Sequence, residues 1–170
     1  SARASKSGGV PTFSRPRCTG EVSVKDTRPL EMDLENFQNA LQDRAITDAF
    51  MNAASPGVIA QFQPNDYYTD HRSYLFALAE AMKVEYEGIA KAGFVIQIDS
   101  PDLALGRHVM FKDKSDSEFI SMVELHIEAL NHALENIPAE QLRLHVCWGN
   151  YQGPHHCDIE MKKILPTVLK

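Results

Sequence analysis

Between residues 73 and 147 the chain alternates long amphipathic stretches with short runs that are apolar nearly throughout, and this alternation limits the fold more than any other feature. From Ser73 to Ala92, Leu75, Leu78, Ala79, Met82, Tyr86 and Ile89 recur at i, i+3, i+4 spacing, which marks a helix with one buried face. Gly93 ends it, and Phe94 to Ile98 (FVIQI) reads as a near-continuous apolar strand. A loop with Pro101 and Gly106 leads to a second helix, about Ser117 to Asn136, with Ile120, Val123, Ile127, Leu130 and Leu134 inward. Leu142 to Cys147 then reads as a short buried strand, and Ile159 to Leu169 starts another helix. Apolar strands separated by helices form a parallel sheet covered by helices.

Upstream, Gly20 to Lys25 (GEVSVK) is a strand candidate. Asp33 is expected to cap a helix to about Met51, with Leu34, Phe37, Leu41 and Ala45 on one stripe. Ser55-Pro56-Gly57 breaks the chain, and Val58 to Phe62 (VIAQF) reads as a strand. Right-handed crossovers put the C-terminal ends of parallel strands on one face. The polar residues follow that rule: Gln61, Gln63, Asn65 and Asp66 after one strand, Gln97 and Asp99 on the next, His145 and Cys147 on the last. A (β/α)8 TIM barrel distributes its active site in this way and takes ~250 residues. The fold expected for residues 18–170 is therefore α/β, an incomplete (β/α) barrel of about four strand–helix units. No glycine-rich phosphate turn follows any strand, which counts against a doubly wound nucleotide-binding sheet.

Residues 1–17 carry Arg3, Lys6, Arg15 and Arg17 with no acid before Glu21, and read as a flexible lead or internal linker. A net charge of −6 and a pI near 5.6 argue against a nucleic-acid partner. No apolar run approaches the roughly 18 residues of a membrane span, so a soluble, cytoplasmic protein with no membrane partner is expected. Cys18, Cys147 and Cys157 are an odd number, best read as reduced thiols in a cytosolic protein.

The chemistry gathers in Leu142 to Cys157, LRLHVCWGNYQGPHHC. In a strand, His145 and Cys147 face the same way and offer a nitrogen and a sulfur to a borderline-soft metal such as zinc. On spacing alone the better reading is bland: a buried cysteine and a hydrogen-bonded histidine. His155 and His156 are either active-site loop or substrate contacts or plain loop residues, and Cys157 is expected to have no site role. Asp99 ends an apolar strand, where an acid is costly to bury without a partner; it caps the following loop or meets a substrate ammonium. Trp148 lines the pocket or fills space. Tyr67, Tyr68, Asp70 and His71 are either a packed, capped helix entry or a substrate-facing loop, and Glu118, Glu124, Glu128 and Glu135 form a solvated helix face.

Three stretches together resemble the cobalamin-independent methionine synthase family, in particular its shorter single-barrel homologues. They are Phe62 to Tyr86 (FQPNDYYTDHRSYLFALAEAMKVEY), Phe94 to Leu105 (FVIQIDSPDLAL) and His145 to Asp158 (HVCWGNYQGPHHCD). The resemblance runs from about Pro16 to Lys170 and corresponds to the middle of a family member. It implies that His145 and Cys147 are zinc ligands, with a glutamate and a second cysteine on later strands outside this sequence. It also implies that Asp99 holds the amino group of homocysteine. Ser100 stands where methionine synthases proper have glutamate, which bears on substrate identity.

The resemblance thus implies an enzyme with zinc as cofactor, moving a methyl group from a folate-type donor to homocysteine or a similar thiol. Asp99, Gln97, Trp148, Asn65, His155 and His156 are the substrate-binding candidates, and His145 and Cys147 the metal ligands. Two alternatives stand beside it. One is a zinc-dependent thiol/alkyl transferase of the epoxide–coenzyme M type. The other is an inactive, truncated barrel that pairs with itself or a partner through its unclosed edges.

Overall fold

In a computed structural model, the structure describes the backbone of residues 3–4 and 11–12, together with residues 15–150 and 153–170. The two long helices form where the apolar spacing is strongest. α3 (His71–Lys91) opens at Asp70, whose carboxylate accepts the Ser73 backbone N–H at 2.7 Å. It ends before Gly93, which takes a left-handed turn at φ 86°. α5 (Asp116–Leu134) opens on a capping box: Ser115 Oγ accepts the Glu118 N–H, and the Glu118 carboxylate accepts the Ser115 N–H at 2.8 Å. Leu75, Leu78, Tyr86 and Ile89 of α3 meet Ala129, Leu130 and Ala133 of α5 in one core.

That core also contains Ala53, Ile96 and Ile98, which come from the sheet. β3 (Phe50–Ala54), β4 (Val95–Asp99) and β5 (Leu142–His145) lie in sequence order, all parallel. The β3 to β4 connection carries α2 (Pro56–Phe62) and α3, and the β4 to β5 connection carries α4 (Gly106–Val109) and α5. Since α3 and α5 both pack on the face of Ala53, Ile96 and Ile98, the alternate residues face the other way. Register aligns these in two rows, Asn52–Gln97–Arg143 and Ala54–Asp99–His145. α1 (Arg28–Leu41) lays Leu30, Leu34, Phe37 and Leu41 on the main core, with the Phe37 and Phe94 rings 4.7 Å apart. α6 (Met161–Val168) supplies Ile164 to a second cluster with Leu103, Phe119, Val123 and Ile159. β1 (Arg3–Ala4) and β2 (Pro11–Thr12) form a two-residue antiparallel pair.

Several expectations are corrected. Gly20 to Lys25 is not a strand; the Val22 N–H goes to the Tyr68 hydroxyl at 2.8 Å instead of to a ladder. The first helix does not run from Asp33 to Met51. Proline in its first turn lets it start at Arg28, and it stops at Leu41, before Asp43 turns left-handed at φ 61°. Ala45 lies beyond it, and Phe50 and Met51 belong to β3. Val58 to Phe62 is helical: Ser55 Oγ accepts the Val58 N–H at 3.0 Å and Pro56 takes the first helical position. The strand therefore lies before the Ser-Pro pair. Three parallel strands stand among the described residues where about four were expected. β5 is an exposed edge, with Leu144 40% exposed, and its pairing stops at His145, leaving Cys147 in the loop.

The lead expected over residues 1–17 falls mostly outside the described residues. At its end Arg17 pairs with Asp66, and Cys18 bridges to Asn65. Among the described residues no helix is long and apolar enough to cross a membrane.

Candidate functional site

The C-terminal ends of β3, β4 and β5 form a rim, and backbone hydrogen bonds lock its register. The Ser55 N–H donates to the Asp99 carbonyl at 3.0 Å, and the Ser100 N–H to the His145 carbonyl at 2.9 Å. On the face away from the helices, Asp99 stands between two amides. Asn52 Nδ2 donates to its Oδ2 at 3.2 Å and Gln97 Nε2 to its Oδ1 at 2.8 Å. Gln97 Oε1 in turn accepts from Arg143 Nε at 2.9 Å, and the Arg143 guanidinium lies 3.8 Å from the centre of the Phe50 ring. Beside Asp99 is a cleft of about 380 Å3 between the strand ends and α2, walled by Val58, Ile59, Phe62 and Pro101 and made polar by Asn52, Gln63 and Asp99. Neutral amides hold the Asp99 carboxylate without cancelling its charge, so the cleft has an apolar wall and an anionic corner.

His145 is in register with Asp99 at the exposed rim. Cys147 follows two residues later as a free thiol whose sulfur accepts the Gly149 N–H at 3.4 Å. Gly149 sits at φ 76° against Leu105, where a Cβ would meet Leu105 Cδ2 at 2.7 Å, so only glycine turns the chain here. As an imidazole and a thiol within three residues, His145 and Cys147 suit zinc as two of its ligands. Among the described residues no group of three or more His, Cys, Asp or Glu is arranged to hold a metal ion.

The other candidates take different positions. Asn65 spends its side chain on a turn: Nδ2 donates to the Tyr68 carbonyl at 2.8 Å, and Oδ1 accepts the Tyr67 and Tyr68 N–H groups. Trp148 Nε1 donates to the Ile159 carbonyl at 2.9 Å and packs on the second core cluster, tying the loop after β5 to the segment before α6. His155 pairs with Asp158 at 3.0 Å, His156 with the Pro154 carbonyl at 3.1 Å, and both rings face His108, at 6.1 and 5.4 Å. Ser100 is fully buried, and its hydroxyl has no hydrogen-bond partner among the described residues.

Behind the rim runs a chain of polar side chains that the sequence reading missed. Ser55, Asp102 and His126 are each 3% exposed or less. Ser55 Oγ donates to Asp102 Oδ1 at 2.6 Å, and Asp102 Oδ2 meets His126 Nδ1 at 2.7 Å. His126 Nε2 then faces His71 Nε2 at 3.0 Å, with the ring centres 5.2 Å apart. Only one proton fits between those two nitrogens. Burial, and after it the charge of His126, pushes His71 down to about 4. A carboxylate so deeply buried is tolerable only because each oxygen has a partner. The chain thereby pins the loops after β3 and β4 to α5. Its sequence signal was His126, a polar residue on the apolar stripe of Phe119, Val123 and Leu130.

An α/β unit with a parallel sheet, helices on one face and a polar, open opposite face is the class defined here. By sequence the chain is similar to archaeal methionine synthases. The methionine synthase of Saccharolobus solfataricus is 26% identical over 160 residues, covering 92% of this chain and 42% of that protein. That of Saccharolobus islandicus (strain L.S.2.15) is 30% identical over 112 residues, 64% of this chain and 30% of that protein. That of Pyrococcus furiosus is 33% identical over 97 residues, 56% of this chain and 25% of that protein. The chain thus spans less than half the length of these relatives. No protein-family model matches it. No solved structure matches it.

Proposed function

We propose that the chain is part of a zinc-dependent methyltransferase of the methionine synthase kind, moving a methyl group from a folate-type donor to the sulfur of homocysteine or a similar thiol. The observation that carries this reading is Asp99, a carboxylate held by two neutral amides at a strand end, in register with His145. The curated relatives' names point the same way. In this reading β3, β4 and β5 are part of a (β/α)8 barrel. Their sequential order, their one-sided helix layer and the polar rows on the opposite face support it.

Asp99 accepts the substrate ammonium, and Asn52 and Gln97 keep both its oxygens aimed into the cleft. Val58, Ile59 and Phe62 give the substrate's carbon chain an apolar wall and exclude water from that side. His145 and Cys147 would hold zinc together with ligands from elsewhere. Zinc, when bound, would keep the substrate sulfur as a thiolate near neutral pH, the form that attacks a methyl carbon. The test is Asp99→Asn in a reading frame that complements a methionine auxotroph. KM for homocysteine should rise by about tenfold or more, and an unchanged KM would remove Asp99 from the site.

A second reading, a zinc-dependent thiol/alkyl transferase of the epoxide–coenzyme M type, is favoured by Ser100, which is buried at the position where the family resemblance implies a glutamate in methionine synthases proper. A zinc-loaded protein that fails to rescue the auxotroph would select it.

A further inference from the structure

In the sequence Arg143 is simply the polar residue between Leu142 and Leu144. In the structure it reaches across two strands of the open face, its guanidinium over Phe50 of β3 and its Nε on Gln97 of β4. We propose that Arg143 is a positioning residue for substrate binding, acting through Gln97 to fix Asp99. The inference rests on the reading of Asp99 as the ammonium acceptor.

The argument is one of polarity. A glutamine side chain has one accepting and one donating end, and its amide turns over freely unless its neighbours choose. Arginine only donates, and an ionised carboxylate only accepts. Arg143 Nε takes Gln97 Oε1 at 2.9 Å, which leaves Gln97 Nε2 facing Asp99 Oδ1 at 2.8 Å. Without Arg143 the Gln97 oxygen loses its donor and the amide is anchored at one end only, so it swings away from Asp99 more readily and the carboxylate loses a fixed partner. The stack on Phe50 holds the long arginine side chain in the one orientation that serves Gln97.

The experiment compares homocysteine with 4-mercaptobutanoate, the same thiol acid without the amine, in the complete reading frame. The wild type should prefer the amine-bearing thiol in kcat/KM. Arg143→Met should lose about tenfold of that preference, the worth of one charge-assisted contact. It should leave the rate with 4-mercaptobutanoate unchanged, and Arg143→Lys should restore part of the loss. Arg143→Met added to Gln97→Leu should cost nothing further, because both break the same relay. Additive losses, or a preference untouched by Arg143→Met, would overturn the proposal. No preference in the wild type would instead overturn the reading of Asp99. In the 170-residue chain itself, Arg143→Met should move the Gln97 side-chain amide resonances toward free-amide positions. A Gln97 signal that stays put would also overturn it.

Discussion

Gly57 lies in the first turn of α2, where its Cα faces the buried pair of Asp102 and His126. A methyl group placed there would sit 2.0 Å from Asp102 Oδ2 and 2.5 Å from His126 Nδ1. Neither atom is the free end of a flexible chain, since Asp102 is held by Ser55 and His126 and all three are buried. On helix propensity alone Gly57→Ala should stabilise, by up to about 1 kcal/mol. The structure reverses the sign. Overpacking costs about 1–3 kcal/mol, and parting a buried carboxylate from its hydrogen-bond partner costs about 3–5 kcal/mol. Because one movement relieves both, the expected net loss is about 3–5 kcal/mol, a large share of a total that is about 5–15 kcal/mol for a domain. Urea unfolding followed by far-UV circular dichroism should show the midpoint falling by about 1–3 M at an m-value of about 2 kcal/mol/M. In an Asp102→Ala background, where the closest clash is gone and only the contact with His126 Nδ1 remains, the same change should cost less than in the parent. A Gly57→Ala protein as stable as its parent would refute the packing argument outright.

His71 is held at about 4 in the fold and stands near 6.5 when unfolded, so the unfolded chain takes up its proton first on acidification. Its contribution to stability is whole above about pH 6.5 and is lost as the pH falls toward 4. Urea midpoints at several pH values should decline less steeply for His71→Gln, and an identical slope would show that the imidazole is not sequestered. On the proposed reading the 170-residue chain offers only two of the zinc ligands, His145 and Cys147, so purified alone it should carry well under one zinc, by plasma mass spectrometry. A longer frame should hold about one per chain and lose it in His145→Ala or Cys147→Ser. Chelator-resistant, stoichiometric zinc in the short chain would shift the ligand assignment toward His155, His156 or Cys157. Phe50, Phe62 and Leu144 are exposed near the sheet's open face and edge. Light scattering on the short chain should therefore find assemblies larger than 19.0 kDa, and a monomer at high concentration would contradict that.

α3, α5 and β4 were legible from the sequence because each carries its own punctuation: Asp70 and Ser115 as caps, Gly93 as a stop, and apolar spacing too regular to mistake. β3 was not. FMNAA is short and has no β-branched residue, while the Ser-Pro pair after it was read as a breaker, although serine before proline is also how a helix begins. That single displacement hid Asn52, since a residue placed in the wrong element cannot be assigned a neighbour. Asp99 drew notice in the sequence because an acid closing an apolar strand is costly to bury without a partner. The contact of Arg143 with Gln97 was not legible, because it depends on which residue of β4 lies beside it, and register is a relation between strands that neither strand states alone. His145 and Cys147 were legible as a pair, but the ladder ends at His145, so strand geometry does not set how they face.

The chain of Ser55, Asp102, His126 and His71 also bears on how such a sequence can change over time. Each member holds the next, Ser55 to Asp102, Asp102 to His126 and His126 to His71. Replacing any one strands a buried neighbour, so the four positions cannot drift singly through neutral intermediates. Exchange would require at least two concerted replacements, one for each side of a broken bond, with Gly57 remaining small throughout. The loops after β3 and β4 are in this sense tied together: Phe62, Gln63 and Pro101 wall the cleft and stand outside the chain, while the footing beneath Asp99 changes only as a single block.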